Sequence, residues 1–157
     1  MTKKVYLCGG LVTEWQVEVM NALHKEDIMF YNPMKFDITG EYPTIEMYGP
    51  MDKIKIEDCD YVFAYLEASN PTCINVVGEC CLAKGLGKRV ILVNEWNEAN
   101  YKAGNLKTLW TNSGANDAKW FKPRYLELFL SWMDFIVEDL GIGIEILRNV
   151  LEYELET

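Results

Sequence analysis

YVFAYLEASNPTCINVVGECCLAKGLGKRVILV, residues 61–93, decides the fold. Tyr61–Leu66 and Val90–Val93 are unbroken apolar runs of strand length, rich in β-branched and aromatic residues, as strands buried on both faces read. Between them, Val76, Val77, Gly78, Cys80, Cys81 and Leu82 predict a helix that is apolar on nearly every side. Strand, helix, strand in this order is a parallel βαβ unit. Its helix carries one carboxylate, Glu79, the only acid or base besides thiols between Cys73 and Ala83. A carboxylate in apolar surroundings is costly unless it is hydrogen-bonded or used. Either Glu79 caps a helix or reaches water from the rim of a sheet, or it is a nucleophile or general base placed where a helix follows a parallel strand.

Upstream, Lys4–Cys8 (KVYLC) reads as a first buried strand, and Gly9-Gly10 after it as a turn whose backbone a ligand can approach closely. Thr13 with Gln16 is a capping-box pattern, and Val12, Trp15, Val19, Ala22 and Leu23 recur at helical spacing through Lys25. Trp15 is expected in the core and His24 in a solvated turn. Ile28–Tyr31 (IMFY) is a second strand, stopped by Asn32-Pro33, and Phe36–Gly49 reads as a covering loop. Pro50 is expected to open a second helix, with Met51, Ile54 and Cys59 on one face and Asp52 in its first turn.

Downstream, Asn94–Pro123 reads as an irregular connection punctuated by Leu106, Leu109 and Trp110. Tyr125–Leu140 and Ile144–Leu151 are expected as two amphipathic helices separated by Gly141-Ile142-Gly143, an added packing layer or a subunit contact. Alternating strands and helices predict an α/β fold, a doubly wound (flavodoxin/Rossmann-like) parallel sheet with helices on both faces and extra C-terminal helices. In such folds ligands bind beyond the carboxyl ends of the strands. One domain is expected over 1–157, with a core at 3–128 and a helical extension at 125–157.

The 157 residues, 50% apolar and 25% charged, suit one soluble globular domain. A net charge of −9 with no basic run longer than Lys3-Lys4 or Lys88-Arg89 opposes duplex nucleic-acid binding, which needs phosphate neutralisation. No apolar run approaches the roughly 20 residues that span a bilayer, and no leader pattern precedes the first strand, so a cytoplasmic protein without membrane contact is expected. Five cysteines (Cys8, Cys59, Cys73, Cys80, Cys81) without CxxC spacing, and one histidine, argue for reduced thiols and no metal site. Neither a GxxxxGK nor a GxGxxG follows a strand, and no cofactor is expected.

Four features stand in order: KKVYLCGG, MDKIKIEDCDYV, Asn70-Pro71 followed by Glu79, and GNLKTLW with KPRY. Together they resemble the nucleoside 2-deoxyribosyltransferase family over roughly residues 3–128. The resemblance implies that Glu79 is the nucleophile and that Tyr6 hydrogen-bonds and orients it. Asp52 would exchange a proton with the leaving or arriving base, and Asn105 would reach a neighbouring subunit's site to touch the sugar hydroxyl, which implies a homo-oligomer. Gly9, Gly10, Asn70, Cys73 and Asn75 complete the expected substrate-binding set. The chain departs from the family at Cys73, where an aspartate binds the deoxyribose hydroxyl, and at Cys80-Cys81-Leu82, where Gly-Tyr-Ala is usual.

The partners so implied are a small nucleoside and a nucleobase. A bond between sugar and base breaks through an oxocarbenium-like transition state, which a carboxylate beneath the ring stabilises or captures, while a proton donor eases departure of the base. A second base as acceptor makes a transferase. Water makes a hydrolase, as in the related nucleoside 5′-monophosphate N-glycosidases. A non-catalytic nucleoside-binding or interaction module of the same fold is the reading from a different class.

Overall fold

The computed structural model describes residues 2–10, 13–25, 27–33, 45–70, 75–105 and 129–155. A five-stranded, all-parallel sheet runs in the order β2-β1-β3-β4-β5, with β1 at Lys3–Gly9, β2 at Ile28–Tyr31, β3 at Tyr61–Leu66, β4 at Arg89–Asn94 and β5 at Phe135–Val137. This is the flavodoxin-like strand order. The helices are α1 (Trp15–Ala22), α2 (Ile45–Asp58), α3 (Asn75–Gly85), α4 (Glu98–Lys102) and α5 (Leu140–Leu155). Among the described residues no helix is long and apolar enough to cross a membrane.

Alternation along the strands separates two cores. Tyr6, Cys8, Val62, Ala64, Leu66, Val90 and Leu92 face Ile56 and Cys59 at the end of α2 and Val76, Cys80 and Ala83 of α3. Val5, Leu7, Phe63, Tyr65, Ile91 and Val93 face Trp15, Val19 and Leu23 of the α1 region and Ile144, Leu147 and Leu151 of α5. The chain leaves β1 for β2 on one side and returns to β3 on the other, so the topological switch point lies between β1 and β3. At the amino ends of these strands, Lys4 N–H donates to Asp60 (2.8 Å) and Asp60 N–H to the Lys4 carbonyl (2.8 Å), while Lys4 Nζ pairs with Asp58 at 2.9 Å. The Lys-Lys and Asp-Cys-Asp stretches thus set the β1–β3 register.

Several expected boundaries move. Pro50 lies inside α2, which begins at Ile45. The residue before it is Gly49, whose missing Cβ removes the clash by which proline expels its predecessor from helical conformation. No capping box forms at α1: the Thr13 hydroxyl donates to Glu67 Oε2 (3.1 Å) and Gln16 Nε2 to the Gly10 carbonyl (2.9 Å), and α1 ends at Ala22. Short helix α4 interrupts the connection after Asn94.

The expected helix over Tyr125–Leu140 does not run through: within the described residues Phe129 and Leu130 are helical, a turn follows, and Phe135–Val137 form strand β5. Asp134, just before it, accepts the Val90 N–H (2.7 Å) and pairs with Lys84 (2.8 Å), locking β5 against the start of β4. Gly141-Ile142-Gly143 does not break a helix. Asp139 caps α5 by accepting the Ile142 N–H (3.0 Å), and a Cβ on Gly143 would lie 2.5 Å from Val93 Cγ2, so this glycine lets the helix settle on the sheet. Residues 36–44 of the expected loop, Leu106, Leu109, Trp110 and the segment through 128 lie outside the described residues.

Candidate active site

Glu79 stands in the second turn of α3, above the carboxyl half of β1. Val76, Cys80 and Ala83 bury one side of the helix, whereas Asn75 and Gly78 are exposed, so Glu79 is half-buried at the edge of the packed face. Its Oε2 accepts the Cys8 thiol at 2.8 Å and the Tyr6 hydroxyl at 3.4 Å. Its Oε1 accepts Asn75 Nδ2 at 2.9 Å, one helical turn back. Tyr6 and Cys8 reach it together because they are alternate residues of β1 and share a face.

Burial raises the Glu79 carboxyl above its ordinary range, and the charge of Asp52 raises it further. The donors Cys8, Asn75 and Tyr6 act in the opposite sense without cancelling the shift. Asp52, on α2, is likewise raised by burial, against the Tyr6 hydroxyl and Lys55, which favour its charged form. Its Oδ1 is buried and has no hydrogen-bond partner among the described residues. Tyr6 is 1% exposed, and burial holds its phenol far above the ordinary range, so it remains a donor. Two carboxyls with raised affinity for protons thus flank one permanent hydroxyl donor, an arrangement that suits a shared proton and one retained charge.

The structure brings Glu79, Tyr6, Asp52 and Asn75 of the expected set together and adds Cys8, which the sequence reading placed only among the core thiols. Gly9 ends β1 nearby and Gly10 follows it, but they pack on α1 and, at Gly9, on the Tyr65 backbone of β3. A Cβ on Gly9 would lie 2.5 Å from the Trp15 ring, and the Gly10 carbonyl accepts Trp15 Nε1 at 3.1 Å. Asn70 is buried where the chain turns after β3, its N–H donating to the Glu67 carbonyl at 3.1 Å. Cys73 lies outside the described residues.

Asn105 is elsewhere. With Tyr65, Glu67, Ala68, Ser69, Glu95 and Asn100 it lines a cavity of about 360 Å³ that shares no residue with the Glu79 cluster. Glu67 and Glu95 were not singled out from sequence; a single acid directly after each apolar strand, Leu66 and Asn94, is the signal that marks them. Among the described residues no group of three or more His, Cys, Asp or Glu is placed to hold a metal ion.

No protein-family model matches the chain, and no curated protein matches it. Solved structures do. A conserved protein from Enterococcus faecalis V583 superposes with a TM-score of 0.61 at 15% identity, over 95% of this chain and 99% of that one. A CMP N-glycosidase from Clostridium botulinum superposes with a TM-score of 0.52 at 13% identity, over 94% and 99%. This chain shares their fold. A 2-deoxyribosyltransferase from Leishmania mexicana is also similar, at 18% identity over 65% of this chain and 71% of that one, with a TM-score of 0.48.

Proposed function

We propose that this chain breaks the N-glycosidic bond of a nucleoside, with Glu79 as the covalent nucleophile and the deoxyribosyl group passing to a second nucleobase. The observation that carries the reading is the Glu79 carboxylate, held at both oxygens by Cys8, Tyr6 and Asn75, with Asp52 beside it at the ligand-binding edge of a parallel sheet. One Glu79 oxygen attacks the anomeric carbon as the bond to the base breaks, and the proton carried by Asp52 goes to the departing nitrogen. The base leaves neutral. An incoming base then gives its proton back to Asp52 as its nitrogen attacks the anomeric carbon and the ester bond to Glu79 breaks.

Hydrolysis of a nucleoside 5′-monophosphate is the second reading. It is favoured by the likeness, over nearly the whole chain, to a protein described as a CMP N-glycosidase. Incubation with deoxynucleosides and their 5′-monophosphates, with and without a free acceptor base, separates the two by products. New nucleoside formed only with acceptor supports transfer. Free sugar or sugar phosphate supports hydrolysis, and no release of base from any substrate refutes both.

The reading includes a homo-oligomer. Phe129, Trp132 and Ile136, around β5, are 47%, 57% and 45% exposed, apolar surface that a second copy would cover. A monomer by ultracentrifugation at micromolar concentration would remove that element.

A further inference from the structure

We propose that Cys8 is a positioning residue for Glu79, its thiol hydrogen bond fixing the carboxylate's rotamer and setting its basicity. The inference rests on the reading of Glu79 as nucleophile. Cys8 Sγ lies 2.8 Å from Oε2, whereas the Tyr6 hydroxyl is 3.4 Å away, so the thiol is the nearer donor to that oxygen. Cys8 is fully buried in β1, paired with Ala64 of β3; besides Glu79 its sulfur meets the Val76 carbonyl, 3.9 Å away, and the Cys80 thiol. Burial pushes the Cys8 thiol well above its ordinary range, with Cys80 and Glu79 adding to the shift. The sulfur therefore keeps its proton and Glu79 is the acceptor.

The choice of sulfur has a chemical consequence. A thiol is a weaker donor than a hydroxyl. It holds the oxygen in place while drawing off less of its negative charge, so the carboxylate stays more basic than a serine at position 8 would leave it. The titratable groups that face Glu79 are Tyr6 and Cys8 from β1 and Asp52 from α2; Cys80 of α3 touches Cys8, and Lys55 acts on Asp52.

The Glu79 titration is read by carbon NMR of glutamate labelled at the carboxyl carbon, assigned with Glu79→Gln, in the wild type, Cys8→Ser and Cys8→Ala. Cys8→Ala should move it upward and Cys8→Ser downward, each by roughly half a unit to one unit. The acid limb of kcat should move in the same directions, with KM little changed. In the wild type, the thiol S–H stretching band, isolated by difference against Cys8→Ser, should fall in frequency as Glu79 ionises. A Glu79 titration unmoved in both folded variants, or an S–H band insensitive to that ionisation, overturns the proposal. The titration and the S–H band are independent of turnover. Failure of the wild type to release a base would sink the proposed function and leave these results standing.

Discussion

Glu79 and Glu95 each accept a hydrogen bond from a tyrosine of the sheet, Tyr6 at 3.4 Å and Tyr65 at 2.7 Å, and the two tyrosines point to opposite faces. Their other partners differ in kind. Glu95 Oε2 takes the backbone N–H of Ala68 at 2.8 Å, and its own N–H donates to the Leu66 carbonyl at 3.0 Å. It therefore ties the end of β4 to the chain leaving β3. Glu79 is held by side chains alone, one of them a thiol, with a second raised carboxyl nearby. A carboxylate bound into the backbone is committed to the fold, whereas one held by side chains beside a second raised carboxyl is placed for chemistry.

The sharpest way to break this comparison is to remove each acid in turn. Glu79→Ala should lower turnover by several orders of magnitude and leave the circular dichroism spectrum unchanged, because a covalent group is lost while a buried charge is relieved. Near-normal turnover would remove Glu79 from the chemistry. Tyr6→Phe deletes one orienting hydroxyl, and steady-state kinetics should show a loss on the order of tenfold to a thousandfold. Glu95→Ala should do the reverse: about 1.5–3 kcal/mol less stability in urea unfolding, with unchanged turnover of the folded fraction. A Glu95 variant as inactive as Glu79→Ala would erase the distinction between the two faces.

A smaller effect tests the electrostatics. Because the folded-state Glu79 carboxyl is raised from 4.5, its favourable contribution is complete below that value and lost as pH rises through the folded one. Glu79→Gln carries no such loss. Its stability relative to wild type, followed by urea unfolding across pH, should rise through that window and level off above it. An advantage that shrinks with rising pH would mean that the donors outweigh burial.

Much of this arrangement is legible in sequence, for physical reasons that differ by element. Tyr61–Leu66 and Val90–Val93 are buried on both faces, and such strands announce themselves as unbroken apolar runs. Glu79 stands out because burial makes a lone charge conspicuous. Cys8 does not, since a thiol between Leu7 and Gly9 looks like any small core residue until α3 brings a carboxylate to it. Gly143 was misread because a glycine that permits close approach and one that ends a helix are the same letter. The three residues of β5 are too short for periodicity to separate strand from helix.

Trapping the intermediate tests the central claim most directly. Wild-type protein incubated with a slow or 2-fluorinated deoxynucleoside should gain the mass of one glycosyl group, released base should appear in equal amount, and peptide mapping should place the adduct on Glu79 within Val76–Lys84. Base release without any adduct, or an adduct on Cys8, Cys73 or another thiol, would contradict the assignment of Glu79 as the nucleophile.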